Sequence, residues 1–313
     1  MRRRLIASAI ASAAVLAATV PAQAAPGPLA GTGKDQKDDV VYLSAKLSGR
    51  KELPAKPGEK AAGGDADGRA VLEVRRDRVK FYLEWNSPAQ LTLGHLHEAP
   101  EGVNGPVVQA LFASAMPETV DAASGSVKVS DPAFVKRLIA SPAGFYVNLH
   151  STLVPGGAMR GQLAPYDPCT EYSGKRGHQQ GGKYSCKSDM LYLGGYAYRS
   201  DLSGSDNRTG GVAYVTPQGK SRDGKRARVG YGIGHLGFTP GAMYLRGPGR
   251  DGGEANAPLF TIPLPVTVIS AKGHADVDPD LVEGMRRNPK GYYAAVTPAG
   301  SLGQVKGSSL HQH

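Results

Sequence analysis

Asp131-Pro132-Ala133-Phe134-Val135 through Gly144-Phe145-Tyr146 pairs, without a gap, with Asp278-Pro279-Asp280-Leu281-Val282 through Gly291-Tyr292-Tyr293. In each copy the Asp-Pro pair supplies an N-cap and a proline at the first helical position. Phe134 and Leu138 then stand at i,i+4, which predicts a short helical turn to about Ala140. After it Phe145, Val147 and Leu149 share one side of a strand, and Tyr146, Asn148 and His150 share the other. A helical turn feeding a half-buried strand, present twice, makes the chain a tandem repeat.

The period-two pattern extends outward from this stretch. Val41, Leu43, Ala45 and Leu47 alternate with polar residues, as do Ala70-Leu72-Val74 and Val79-Phe81-Leu83-Trp85. Met159, Gly161 and Leu163 oppose Arg160 and Gln162, so His150 and Arg160 both point away from the apolar layer that their own strands build. Leu191-Tyr192-Leu193, Gly211 to Val215 and Arg228 to Tyr231 repeat the earlier strands. The reading is all-β, with one unit over 40–165 and a second over 189–310, each with a short helical turn. The 42 Gly and 23 Pro fit many turns and short strands. With 40% hydrophobic and 20% charged residues, collagen, coiled coil and wholesale disorder are excluded.

Arg2, Arg3 and Arg4 precede an apolar run from Leu5 to Val20, and Ala22-Gln23-Ala24 is a small-x-small motif. This is the pattern of a secretory signal peptide over 1–24, cleaved near Ala24. The apolar run is short for a membrane span, and the mature chain is expected to carry no integral anchor and to be secreted, extracellular or periplasmic. Residues 25–39 are expected as a flexible lead-in. The formal charge of +10 falls to +7 without the three leader arginines. Such a surplus favours loose association with anionic polymers or an envelope. In an oxidising compartment, Cys169 and Cys186 are expected to form a disulfide within a linker over 166–188, contributing about 3 kcal/mol. A metal site from Cys169, His178 and Cys186 lacks zinc-like spacing.

Leu47-Ser48-Gly49 with Glu52-Leu53-Pro54, Gly94-His95-Leu96-His97-Glu98-Ala99-Pro100, Asn104-Gly105-Pro106, Tyr146-Val147-Asn148-Leu149-His150-Ser151 and Pro155-Gly156-Gly157-Ala158-Met159-Arg160-Gly161-Gln162-Leu163 follow one another in the first unit. Together they resemble the CHRD domain, the module named after chordin and found in many secreted bacterial proteins. The resemblance implies a Greek-key or immunoglobulin-like β-sandwich, with ligand-binding roles in animal extracellular proteins and no settled activity in bacteria; the function expected on that basis is a non-enzymatic module that binds an extracellular or cell-envelope ligand. The second unit resembles a degenerate copy. Aligned on Pro100 and Pro248, His95 and His97 fall on Met243 and Leu245, His150 on Thr297, and Arg160 on Lys306 after one gap.

His95 and His97 leave one face of a strand, and His150 can meet them from another. Three imidazoles on one patch can coordinate copper or zinc. The arrangement also resembles the copper half of Cu,Zn superoxide dismutases, in which His95, His97 and His150 would stand for copper ligands and Arg160 for an anion-attracting residue. No counterpart of the bridging histidine occurs, and Glu118, Asp121 and Asp131 lack ligand-like spacing. Two further readings of the patch are a packed, hydrogen-bonded cluster with Arg160 paired to Glu98, and direct ligand contact without metal. His178, His235 and His274 are isolated, and His311 and His313 lie on the tail. No Gly-x-Ser-x-Gly, phosphate loop or dinucleotide motif occurs, and basic residues do not interleave with aromatics, so hydrolase, nucleotide and nucleic-acid functions are not expected.

Overall fold

The computed structural model describes residues 40–54, 63–129, 131–167, 198–203, 210–234, 240–248, 258, 260–263, 268–298 and 305–312. The expected signal peptide and lead-in, with Cys169, Cys186, His178, His235 and His313, lie outside the described residues.

The first half contains β1 (Val41–Ser48), β2 (Asp67–Arg75), β3 (Arg78–Asn86), β4 (Leu91–Glu98), β5 (Val107–Phe112), β6 (Val120–Lys128), α1 (Pro132–Ala140), β7 (Phe145–Ser151), β8 (Met159–Gln162) and β9 (Ala164–Pro165). One antiparallel sheet runs β9–β1–β2–β3–β6, and a second runs β5–β4–β7–β8. Ser48 at the end of β1 pairs with Arg160 of β8, which ties the two sheets at one corner. The chain changes sheet between β3 and β4, between β5 and β6 and, through α1, between β6 and β7, as in a Greek-key sandwich.

Strand alternation builds the core. Leu43, Leu72, Val79, Phe81 and Leu83 of the first sheet join Leu96, Phe145, Val147, Leu149 and Met159 of the second in one buried cluster. Each such side chain contributes about 1.5–3 kcal/mol by leaving water. The residues of opposite parity therefore line the outer face of the second sheet: His95 and His97 on β4, Tyr146, Asn148 and His150 on β7, and Arg160 on β8. The Asp131 carboxylate accepts the Ala133 N–H at 2.9 Å, and α1 buries Phe134, Val135 and Leu138.

The second half contains β10 (Tyr198–Ser203), β11 (Gly210–Lys220), β12 (Ala227–Gly234), β13 (Pro240–Arg246), β14 (Phe260–Pro263), β15 (Val268–Val277), α2 (Pro279–Arg287), β16 (Tyr293–Pro298), β17 (Val305–Ser309) and β18 (His311–Gln312). Its sheets run β18–β10–β11–β12–β15 and β14–β13–β16–β17, the order of the first half. β10 pairs with β17 at Leu202 and Gly307, as β1 does with β8. Asp278 accepts the Asp280 N–H at 2.9 Å, the same cap on α2.

One feature has no signal in the sequence pattern. β6 pairs antiparallel with β15, so the edges of the two first sheets merge into one continuous sheet. Across this seam the Ser124 and Ser270 hydroxyls bond, Lys272 Nζ donates to Glu84 Oε1 at 3.0 Å, and His274 Nδ1 lies 2.9 Å from Asp121 Oδ2. Asp121 and His274, unconnected in sequence, are thus partners across the seam. No helix among the described residues is long and apolar enough to cross a membrane.

Candidate metal centre

The β4–β7 pairing sets His95 opposite Asn148 and His97 opposite Tyr146, with His150 two residues further along β7. One ring nitrogen from each of His95, His97 and His150 lies within 4.8 Å of the others. The closest approach is His95 Nδ1 to His150 Nε2, at 3.2 Å. The three histidines converge as their parity predicts, and this group could hold a metal ion.

Backbone carbonyls orient two of the rings. His97 Nδ1 lies 2.9 Å from the Gly105 carbonyl oxygen, and His150 Nδ1 lies 2.8 Å from that of Pro155. A carbonyl only accepts, so both Nδ1 atoms carry the proton, and in the neutral rings both Nε2 atoms offer a lone pair. A histidine metal ligand is commonly held this way by its second nitrogen. His97 Nε2 is buried without a hydrogen-bond partner among the described residues. Among the described residues His95 has no carbonyl anchor; facing the His150 lone pair, its Nδ1 donates.

Burial disfavours the imidazolium forms. It lowers the His95 pKa to about 4, with His150 and His97 adding to the effect. The His97 pKa is also lowered, first by burial, against the opposing Gly105 carbonyl. Neutral rings are the ligating form, so at neutral pH His97 presents its Nε2 lone pair without losing a proton, and His95 needs only a change of tautomer to free Nδ1.

Tyr146 and Arg160 brace this arrangement. The His97 ring stacks on Tyr146 with centroids 4.8 Å apart and planes inclined by 13°. The Arg160 guanidinium carbon lies 3.7 Å from the Tyr146 ring centroid. Arg160 also donates to Asn104 Oδ1 at 2.8 Å and to the Val103 carbonyl at 2.9 Å, and the side chain is 3% exposed. The Gly105 N–H donates to the Tyr146 hydroxyl at 3.1 Å. Arg160 thus clamps the 103–105 segment whose carbonyl orients His97, and its guanidinium faces protein groups rather than solvent. The alternative pairing with Glu98 is not formed: Glu98 receives a bidentate bond from Arg137 at 2.9 and 3.0 Å.

Glu52, quoted in the sequence only as part of a motif, belongs to the same layer. It is 7% exposed, and its Oε2 lies 3.5 Å from Asn148 Nδ2. Burial raises its pKa to about 7, against the opposing influence of Arg160 and Asn148. Motif residues from five separate stretches, Glu52, His97, Gly105, His150 and Arg160, therefore meet on one sheet face.

In the second half the sheet register shifts the correspondence expected from the sequence by one residue. Tyr293 and Thr297 are the counterparts of Tyr146 and His150, and β13 pairs Tyr244 with Ala295 and Arg246 with Tyr293. Tyr244 and Arg246, not Met243 and Leu245, therefore occupy the His95 and His97 positions. Met243 and Leu245 are fully buried in the core, where the parity of Gly94 and Leu96 puts them. The cause is the offset between a proline-anchored alignment and the sheet register. Thr297 Oγ1 donates to the Tyr244 hydroxyl at 3.5 Å, where the first half brings His150 to His95. Lys306 Nζ stands 4.1 Å from the Tyr293 ring centroid, repeating the cation–aromatic contact of Arg160 and Tyr146. The same strand order thus carries Tyr244, Arg246 and Thr297 at the positions corresponding to the three imidazoles.

A comparison with curated proteins and one with solved structures each return no match. Residues 43–163 match the family model of the CHRD domain. That span runs from the third residue of β1 to just beyond β8 and contains every residue of the histidine layer, so residues 43–163 form a CHRD domain.

Proposed function

We propose that the chain is an exported, non-enzymatic metal-binding protein whose CHRD domain holds one copper ion through His95, His97 and His150. The observation that carries this reading is the convergence of three ring nitrogens within 4.8 Å, with backbone carbonyls at Nδ1 of His97 and His150 leaving both Nε2 atoms for the ion. A set of imidazoles without thiolate suits copper or zinc, and divalent copper stands highest in the affinity order. The likeness to the copper half of Cu,Zn superoxide dismutases supports the same choice. Without a bridging histidine or a zinc cluster in the sequence, binding and carriage of the ion fit better than dismutation. Metal analysis after dialysis tests the reading: about one copper per chain in the native protein and none in a His95→Ala, His97→Ala, His150→Ala variant supports it, and equal retention by both refutes it.

A second role draws on the family likeness and on the surplus of basic residues. The protein associates with an extracellular or cell-envelope ligand of anionic character. Retention on isolated envelope polymer that falls steeply with salt supports this role, and salt-independent passage argues against it.

A further inference from the structure

Glu52 is an acidic side chain buried in the layer that carries the histidines, and its surroundings are built around it. A Cβ on Gly63 would fall 2.7 Å from the Glu52 Cβ and Cγ, and one on Gly157, whose φ is +144°, would fall 2.6 Å from Oε2. Arg160 of β8 is the charged group whose field acts on this carboxyl, and Asn148 of β7 presents its amide. Gly63 and Gly157, having no side chain, bring only backbone against it. Glu52 Oε1, Asn148 Oδ1 and His97 Nε2 are each buried without a partner among the described residues. Asn148 stands between these groups in register, opposite His95 on one side and Arg160 on the other.

The charge balance of an occupied site follows from this arrangement. Three neutral imidazoles leave a divalent cation uncompensated, and Arg160 adds a further positive charge to the same buried layer. Buried charge is costly unless an opposite charge stands near it. No carboxylate belongs to the ligand group. We propose, resting on the metal-binding reading above, that Glu52 is the counter-charge of the site: its carboxyl releases its proton to solvent when a divalent cation is taken up, and the carboxylate then holds the cation electrostatically without ligating it. The position of the carboxyl in the metal-free protein, protonated through mildly acidic pH because burial disfavours its charge, is consistent with this role.

The test is calorimetric titration of the full chain with Zn(II) at pH 6, in two buffers of different ionisation enthalpy, for the native protein and Glu52→Gln. Protons released by the histidines are common to both proteins, so the difference reports Glu52. The expected result is close to one proton fewer released by the variant and an affinity lower by about tenfold. Equal proton release by the two proteins overturns the inference, whatever the affinities. Absence of binding of both Zn(II) and Cu(II) by the native protein would instead sink the metal-binding reading itself. Should Glu52→Gln fail to fold, infrared difference spectra of the native protein decide the matter. Loss of a protonated-carboxyl band on adding Zn(II) supports the inference, and an unchanged band overturns it.

Discussion

His95 Nδ1 lies 3.2 Å from His150 Nε2 across the β4–β7 pair. Two nitrogens bound tetrahedrally to one ion at roughly 2.0–2.1 Å stand about 3.3–3.4 Å apart, so the metal-free distance is already close to that of a ligand pair. What fills the gap without metal is an N–H···N bond. A metal held by both nitrogens would replace that bond with two coordination bonds, with the His95 proton shifting from Nδ1 to Nε2.

The anchored ring should matter most. His97 is held by Gly105 and stacked on Tyr146, so His97→Ala removes a pre-oriented ligand and should weaken copper binding by at least about 100-fold. His311→Ala, on an exposed tail residue, should leave it unchanged. Competition titration against a chromophoric chelator measures both, and equal losses in the two variants would place the binding elsewhere.

The corrected register makes a gain-of-function prediction. Tyr244→His, Arg246→His and Thr297→His together place imidazoles at the positions equivalent to His95, His97 and His150, and copper per chain should rise from about one to about two. Met243→His with Leu245→His, the pair suggested by aligning prolines, puts imidazoles into a fully buried apolar core. That pair should add no copper and lower stability by several kcal/mol, on the order of 2–5 for each buried site. Metal analysis and urea unfolding of both variants distinguish the two alignments.

Gly157 and Gly156 are neighbours with different roles. A Cβ at Gly157 meets Glu52 and Asn148 on a backbone at φ +144°, whereas one at Gly156 has no atom within 4 Å. Gly157→Ala should cost about 2–3 kcal/mol in denaturant unfolding and Gly156→Ala less than about 1. Matching losses would show that the glycine cradle around Glu52 is not under steric constraint.

Stability should depend on pH with opposed contributions from two groups. Glu52 has its folded pKa raised from 4.5 to about 7, so the folded state binds more protons between these values and loses that stability as pH rises through about 7. His95, lowered from 6.5 to about 4, contributes in the other direction, and its share is lost as pH falls from 6.5 towards 4. The native protein alone would show a muted profile. Comparing it with metal-free Glu52→Gln isolates one contribution: between pH 5 and pH 8 the variant should gain on the native protein by on the order of 2–3 kcal/mol in urea unfolding. A gap that stays constant with pH would mean that the carboxyl is ionised throughout.

Much of this was legible in the residues because side-chain parity in a strand is strict. His95, His97 and His150 could be assigned to one face, and the Asp-Pro caps of α1 and α2 announced themselves. Three things were not legible. Glu52 lies beyond the end of β1, where no period applies, and its burial comes from glycines at 63 and 157 that approach only in the folded chain. The use of Arg160 depends on Val103 and Asn104, more than fifty residues away in sequence. The β6–β15 seam joins two strands whose small and polar residues, such as Ser124 and Ser270, carry no hydrophobic signal of pairing. In the second half, register rather than residue likeness decided which positions correspond.

The central claim is that one metal ion sits among three imidazoles of the CHRD domain. Anomalous scattering from crystals of the copper-loaded full chain tests it most directly. A single peak about 2.0–2.1 Å from His95 Nδ1, His97 Nε2 and His150 Nε2 is the predicted result. A peak at the His311 tail, or none in crystals grown with stoichiometric copper, would contradict it.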